Sequence, residues 1–333
     1  MKHVVVVGFD GALASAITGA VDILALAGVS WQRINDHQPD PAFKVWLASE
    51  EGEPINCLNG LTLSARMSFE QVMTSPTLVD ELLAILVPTI GGPIEQILAQ
   101  NQQVMALLSW ARQKGIMVIG NCTGNFFLAE AGLLDGRIAT THWGYKSLFE
   151  QRYPKVDLRA DQLITESDNI YCAGGGLAWF DLGIHIIEKE LGYDAALQTA
   201  KAFVIDYRRE SQLSYSLSRL AVQHHDGLVA QIQEYLLENY RKNESLDEVS
   251  DLFNISKRTL IRRFKQALSI TPHAYIQHIR LEVAQKKLVE TQLSIEQIVN
   301  DVGYEDLSSF RRLFRQQAGV TPTEYRKRFA KRL

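Results

Sequence analysis

Two domains of different fold class are predicted by the sequence: a three-layer, doubly wound α/β domain over residues 1–207 and an all-α domain with two helix-turn-helix motifs over residues 227–333, with a linker at 208–226. In the first part, short apolar runs alternate with helical segments. In the second part, a residue pattern recurs at an offset of 50. Charge divides as well: residues 227–333 hold 18 Lys and Arg against 13 Asp and Glu, whereas the remainder holds 16 against 25. Such asymmetry is typical of a nucleic-acid-binding module attached to another domain.

The bulk composition of the 333-residue chain is that of an ordinary globular protein, with 46% hydrophobic and 22% charged residues. No apolar run reaches the roughly 18 residues that span a bilayer. The first residues, MKHVVVVGFDG, predict a buried strand rather than a secretory signal, because the apolar run is too short. Three cysteines, Cys57, Cys122 and Cys172, do not indicate a disulfide framework. We therefore expect a cytoplasmic protein with no membrane partner, no metal site and no cofactor.

The α/β prediction depends on strands that are apolar on both faces. The predicted strands are HVVVVGF (3–9), FKVWLAS (43–49), LTLS (61–64), ELLAILVP (81–88) and IMVIG (116–120). Helical segments at about 14–27 and 94–114 alternate with them. This pattern indicates a parallel sheet covered by helices on both faces, as in flavodoxin-like folds. Loops at the carboxyl ends of the strands form the ligand crevice, and Gly91-Gly92 and residues 120–124 both lie there.

Residues 120–124 read G-N-C-T-G and have the spacing of a nucleophile elbow, with Cys122 in the nucleophile position. Small residues two before and two after the nucleophile allow a sharp strand-to-helix turn, and Gly120 and Gly124 meet that requirement. A helix beginning near Thr123 would direct its N-terminal dipole at the sulfur and favour the thiolate. The alternative is that Cys122 is a small buried residue of the scaffold.

Together with L-A-E-A-G-L-L-D-G-R-x-A-T-T-H-W at 128–143, the elbow resembles the PfpI-type branch of the class I glutamine amidotransferase-like superfamily. The resemblance covers most of residues 1–190. In catalytic members it implies an acidic side chain from the helix after the first strand, and this chain has Ala16 there. Thr123 stands where protease-like members often have His, and His142 is the nearby base candidate. The resemblance therefore favours a domain that is not an enzyme; the alternative is a thiol-dependent amidase, protease or deglycase that uses Cys122.

The C-terminal part contains two copies of one motif. RRFKQALSITPHAY (262–275) aligns with RLFRQQAGVTPTEY (312–325), and SLDEVSDLFNIS (245–256) aligns with SIEQIVNDVGY (294–304). Each copy predicts a capped helix, a turn and a second helix. Ser245 with Glu248, and Ser294 with Gln297, have capping-box spacing. The sequence thus predicts a helix-turn-helix that occurs twice.

The second helix of each copy has an apolar face and an outward face rich in arginine. We predict that the DNA-binding residues are Lys257, Arg258, Ile261, Arg262 and Lys265 in the first copy and Leu307, Ser308, Arg311, Arg312 and Arg315 in the second. A helix of this kind fits the major groove of double-stranded DNA, where arginine bonds bidentately to guanine. The alternative is that these side chains only solvate the helices.

Residues 227–330 resemble the DNA-binding domain of the AraC/XylS family. The likeness includes R-x-x-x-A-x-x-x-L at 280–288 and G-Y-x-D-x-S-x-F-x-R-x-F-x-x-x-x-G-x-T-P-x-x-Y at 303–325. By position, the family's base contacts fall on Arg258, Ile261, Arg262, Leu307, Ser308 and Arg312.

Both resemblances occur in an order known among bacterial transcriptional regulators. They imply a ligand-responsive regulator that binds promoter DNA, forms a homodimer through its N-terminal domain and contacts RNA polymerase. The predicted effector pocket is lined by Phe9, Asp10, Gly91, Gly92, Cys122, Thr123, His142 and Trp143.

Overall fold

A computed structural model describes residues 1–207, 209, 211–215 and 224–330. The chain divides into two compact units, Met1–Gln212 and Leu213–Leu333. The boundary falls inside the predicted linker 208–226, of which residues 208, 210 and 216–223 lie outside the described residues. Within the described ranges, none of the helices combines the length and hydrophobicity that crossing a membrane requires.

The described part of the first unit contains eleven strands, and seven of them form its main sheet. The strands are β1 (Lys2–Val7), β2 (Phe43–Ser49), β3 (Ile55–Asn56), β4 (Thr62–Leu63), β5 (Met67–Ser68), β6 (Leu82–Val87), β7 (Met117–Asn121), β8 (Ile138–Ala139), β9 (Asp157–Leu158), β10 (Ile164–Ser167) and β11 (Ile170–Ala173). The sheet has the order β10-β11-β7-β6-β1-β2-β5. All neighbours are parallel except β10, which pairs with β11 in the antiparallel direction. The parallel pairing expected of the apolar runs is confirmed, and β10 adds an antiparallel edge.

Helices pack against this sheet, whose interior strand β1 has Val4, Val5, Val6 and Val7 fully buried. The helices are α1 (Ala14–Ala25), α2 (Ser30–Ile34), α3 (Phe69–Thr74), α4 (Pro76–Glu81), α5 (Ile94–Gln100), α6 (Gln102–Gln113), α7 (Asn125–Glu130), α8 (Lys146–Arg152), α9 (Trp179–Leu191) and α10 (Tyr193–Phe203). A β-branched run that is buried on both faces fits only the middle of such a layered domain.

Two elements of the first unit differ from the sequence prediction. The helix expected at 94–114 is two helices, because Asn101 has a non-helical backbone and its Nδ2 donates to the Ile97 carbonyl at 2.8 Å. The strand expected at 61–64 is β4, which pairs with β3 in a separate hairpin rather than in the main sheet. Both differences arise from hydrogen bonds that periodicity does not encode.

In the described part of the second unit, the regular elements are α-helices and one 3₁₀ turn at Leu213–Tyr215. Its helices are α11 (Gly227–Asn239), α12 (Leu246–Leu252), α13 (Lys257–Leu268), α14 (Pro272–Glu290), α15 (Ile295–Asp301), α16 (Leu307–Ala318) and α17 (Pro322–Phe329). Two apolar clusters form its core. α14 joins them, because Tyr275 and Ile279 pack in the first cluster while Ala284 and Leu288 pack in the second.

The repeat in the sequence becomes a repeat of local structure. α12 and α15 begin with reciprocal capping boxes at Ser245/Glu248 and Ser294/Gln297. The turns that follow contain Asn254 (φ 53°) and Gly303 (φ 83°), both in the left-handed region. α13 and α16 end in the same manner, at Ser269 and Gly319. The predicted helix-turn-helix therefore occurs twice, as α12–α13 and α15–α16.

Candidate functional site

The G-N-C-T-G segment forms the sharp turn that its spacing predicts. Cys122 has a φ of 57° directly after β7, a strained conformation for a residue with a side chain. A Cβ at Gly120 would lie 2.0 Å from Asn125 Oδ1, and one at Gly124 would lie 2.3 Å from the Pro88 carbonyl oxygen. Both glycines are therefore required by close packing around the elbow.

The thiol at this turn is buried. Cys122 is only 3% exposed, and burial raises the pKa of its thiol to about 11 despite hydrogen bonds with Thr123 and Thr89. This direction is opposite to the expected preference for thiolate. The local structure explains the raised pKa. A 3₁₀ turn at Cys122–Gly124 follows β7, and α7, which has only six residues, begins after this turn at Asn125. Desolvation outweighs the short helix dipole.

Among the described residues, His142, the base candidate, and Ala16, at the acid position, are not paired with Cys122. His142 Nδ1 accepts a hydrogen bond from the Gly144 amide at 3.1 Å, and burial lowers the pKa of its imidazole. Within the described residues, the hydrogen bonds of the Cys122 thiol go to Thr89 and Thr123 rather than to His142. Ala16, at the position expected to carry an acid, is fully buried in α1.

Several of the predicted pocket residues lie on loops that meet at the elbow. Thr123 Oγ1 donates to the Ile90 carbonyl at 2.9 Å, next to Gly91 and Gly92. On the other side, Thr141 Oγ1 donates to the Cys122 carbonyl at 3.0 Å. The rings of His142 and Trp143 follow, stacked with centroids 5.3 Å apart. The β3–β4 hairpin covers the glycine loop, because Leu58 would lie 3.0 Å from a Cβ at Gly91.

Phe9 and Asp10 follow β1 and line a cavity of about 460 Å³. This cavity also contains Glu50 and Glu53 but none of the elbow residues. The Phe9 ring packs on Phe127, with centroids 4.9 Å apart, and Asp10 Oδ1 accepts the Asn56 amide at 2.7 Å. Cys122 and His142 do not line this cavity.

Gln212 contacts the loop beside the elbow and was not identified from the sequence. It is 2% exposed, although it falls in the predicted linker. Its Nε2 donates to the Thr141 carbonyl at 2.8 Å, and its Oε1 accepts the Trp143 amide at 3.1 Å. A Cβ at Gly174 would lie 2.2 Å from Nε2, so the glycine leaves room for this amide. A lone glutamine in a polar stretch gives no sequence signal for such a role.

The outward faces of α13 and α16 agree with the predicted orientation. The side chains of Leu260, Phe264, Phe310 and Phe314 are fully buried. The polar members of the predicted DNA-binding set are exposed, namely Lys257, Arg258, Arg262, Lys265, Ser308, Arg311, Arg312 and Arg315. Two members of this set contact residues outside it: Lys257 pairs with Asp247 at 2.8 Å, and Arg262 donates to Gln266 at 3.1 Å.

The two apolar members of the set are less accessible. Ile261 is half-buried on α13. Leu307 was expected to be exposed but is half-buried and packs against the second core cluster. It lies three residues before Phe310, and this spacing places both side chains on the same face of α16.

Comparisons with known proteins agree with both units. Residues 2–189 match the DJ-1/PfpI family, and residues 249–328 match a helix-turn-helix domain family. The chain is 29% identical over 285 residues to the HTH-type transcriptional regulator CdhR of Pseudomonas aeruginosa, covering 84% of this chain and 80% of that protein. It is 28% identical over 240 residues to the HTH-type transcriptional regulator GbdR of the same species, covering 71% of this chain and 64% of that protein. The match to GbdR thus spans less than two thirds of its length.

Among solved structures, the crystal structure of Drosophila melanogaster DJ-1beta superposes with a TM-score of 0.51 at 20% identity. The match covers 62% of this chain and 99% of that one. At this identity the likeness establishes the fold alone. It confirms the predicted flavodoxin-like α/β class, and the two family matches confirm the predicted pairing of domains. The names of the relatives favour the regulator over the thiol-dependent enzyme.

Proposed function

Because the chain belongs to the DJ-1/PfpI family and carries an AraC-type helix-turn-helix domain, we propose that it is a sequence-specific DNA-binding transcriptional regulator whose first unit binds a small-molecule effector. The observation that carries this proposal is the duplicated module of the second unit. α13 and α16 each bury an apolar stripe and expose a basic face at equivalent positions. Such helices suit two segments of major groove.

In this proposal, the exposed residues of α13 and α16 have two roles, contact with base edges and binding of phosphates. Arg258, Arg262 and Arg312 contact base edges, where a bidentate arginine contributes about 1–3 kcal/mol of discrimination. Lys257, Lys265, Arg311 and Arg315 bind phosphates and set the register without reading sequence. Ser308 lies exposed in the first turn of α16, in position for a further base contact. Half-buried Ile261 and Leu307 border this surface and supply apolar contact with thymine methyl groups.

The effector site in this proposal is the elbow region of the first unit, formed by the Gly91-Gly92 loop, Cys122, Thr123, His142 and Trp143. A thiol with a pKa of about 11 is protonated at neutral pH, which suits a wall of a binding site better than a nucleophile. Phe9 and Asp10 belong to the neighbouring cavity and are secondary candidates.

We further propose that the regulator acts in the cytoplasm as a homodimer through its first unit and contacts RNA polymerase. Support for the dimer comes from large apolar side chains exposed on that unit, including Leu58 (56%), Leu61 (54%) and Leu177 (56%). Sedimentation equilibrium of the full chain tests the dimer, and a monomer at micromolar concentration contradicts it.

The DNA-reading assignment is tested by selecting bound sequences from a random duplex pool with the full chain. Arg262→Ala and Arg312→Ala should each relax preference at one or two base positions by about 10- to 100-fold, since each removes one base-reading side chain. Competition between the selected duplex and its point variants, followed by fluorescence anisotropy, measures this preference.

The matched control is Arg33→Ala, which makes the same charge change on an exposed residue of the first unit. It should leave the base preference unchanged. If Arg262→Ala and Arg312→Ala keep the wild-type preference at every position, the assignment of these helices to base reading is wrong.

A further inference from the structure

Arg280 lies in the middle of α14, between the part of that helix packed in the first core cluster and the part packed in the second. Its guanidinium group is half-buried and makes four hydrogen bonds. Nε donates to the Tyr240 carbonyl at 2.7 Å, and Nη2 donates to the Lys242 carbonyl at 2.9 Å and to Asn243 Oδ1 at 3.1 Å. Nη1 donates to the Gly303 carbonyl at 2.9 Å.

These acceptors belong to two different modules. Tyr240, Lys242 and Asn243 form the loop that enters α12 in the first helix-turn-helix, and Gly303 is the turn residue of the second. Three of the four acceptors are main-chain carbonyls, so their positions are fixed by the path of the backbone. A planar fork with five donors can reach all four at once, whereas a lysine ammonium cannot match this geometry.

The loop at 240–243 also contacts the turn of the second helix-turn-helix directly, independently of Arg280. Gly303 has a φ of 83°, and a Cβ there would lie 2.6 Å from the Arg241 carbonyl oxygen. Asn243 Nδ2 also donates to Glu305 Oε1 at 3.0 Å, and Glu305 lies two residues before α16. The loop after α11 is thus held against the turn before α16 at several points.

From this geometry we infer that Arg280 is a positioning residue that fixes the separation and orientation of α13 relative to α16, and thereby the base-pair spacing that the chain accepts in its DNA site. The inference depends on the proposed reading of DNA by these two helices. One added base pair moves a half-element by about 3.4 Å and rotates it by about 35°, so a rigid pair of helices rejects it.

The test begins with duplexes selected from a random pool by the full chain. From the selected site, a set is made in which the two contacted elements are separated by two fewer to two more base pairs. The wild type should discriminate about tenfold or more against a change of one base pair. Arg280→Lys and Arg280→Met should reduce this ratio to about twofold, while affinity for each element alone stays unchanged.

Lys286→Met is the matched control, since Lys286 is exposed on the same helix and loses the same charge. It should keep the wild-type spacing preference. If an Arg280 variant does not fold, Asn243→Ala provides a milder change, because it removes one acceptor and the link to Glu305 but leaves both cores intact; it should broaden the preference about threefold.

The outcomes separate this inference from the proposed function. A wild-type chain that enriches no sequence from the pool contradicts the proposed function itself. Folded Arg280 variants that bind DNA with the wild-type spacing preference, even with a lowered Tm, show that Arg280 only stabilises the domain and overturn the inference.

Discussion

Cys122 adopts a left-handed backbone conformation, which costs of order 1–3 kcal/mol in a residue with a side chain. The surrounding contacts hold it there, since Gly124 packs against the Pro88 carbonyl and Thr141 donates to the Cys122 carbonyl. In a catalytic elbow this strain presents a reactive side chain. Here it presents a buried thiol, which lies at the proposed effector site.

The first prediction at this scale concerns alkylation of Cys122. Raising a thiol pKa from 9.0 to about 11 lowers the thiolate fraction at pH 8 by about 100-fold. Iodoacetamide at pH 8, followed by peptide mapping, should therefore label Cys122 at least 100 times more slowly in the folded protein than in urea. Labelling at the rate of a free cysteine contradicts this and revives the enzyme alternative.

The sign of the pH dependence follows from the same shift. The folded state holds the Cys122 proton more tightly than the unfolded chain, so its contribution to stability is full below pH 9 and is lost as the pH rises towards 11. Cys172, whose pKa is raised by burial to about 12, adds a loss of the same sign.

At the scale of elements, Asp226 links the start of α11 to α13. Its carboxylate caps α11 through the Val229 amide at 3.1 Å and forms two hydrogen bonds with Arg263 of α13, at 2.8 and 2.6 Å. The bonds from Arg263 hold the pKa of Asp226 at about 2. Because this pKa is depressed, the contribution to stability is present above about pH 4 and is lost as the pH falls towards 2.

We predict that Asp226→Asn lowers the free energy of unfolding of the second unit by about 1 kcal/mol at pH 7. Urea unfolding followed by circular dichroism measures the difference, which should shrink as the pH is lowered from 4 towards 2. Glu290→Gln, at an exposed position at the end of α14, is the control and should be neutral. A deficit that does not change with pH would show that the ion pair is not its source.

Elements with local signals were predictable from the sequence, and those set by distant contacts were not. The β-branched run of β1 and the capping pair Ser245/Glu248 encode their own conformations. By contrast, the break at Asn101 and the hairpin of β4 depend on individual hydrogen bonds. The burial of Gln212 depends on space left by Gly174, 38 positions earlier in the chain. For the candidate site, periodicity therefore predicted the exposed faces of α13 and α16 but not the protonation of Cys122.

On the scale of the whole molecule, charge is divided between the units in the way that DNA binding requires. Residues 227–333 carry a balance of +5, while the remainder carries −9. In the proposed function, the acidic remainder opposes non-specific adhesion to DNA, while the basic faces of α13 and α16 attract it. Seven basic side chains are exposed on those faces, namely Lys257, Arg258, Arg262, Lys265, Arg311, Arg312 and Arg315.

This arrangement predicts the salt dependence of binding. Each neutralised phosphate contributes about −0.9 to the slope of log affinity against log salt. One chain that neutralises four phosphates, through Lys257, Lys265, Arg311 and Arg315, should give a slope of roughly −3.6, and a homodimer on two sites should give about twice that value. Fluorescence anisotropy with a selected duplex between 50 and 200 mM KCl, combined with sedimentation of the complex, measures slope and stoichiometry together.

Lys265→Ala should make the slope less steep by about 0.9 per chain at unchanged base preference, because Lys265 is assigned to phosphate alone. A slope that does not change in this variant would remove Lys265 from the interface, and a slope near −2 for the wild type would show that α13 and α16 do not bind DNA together.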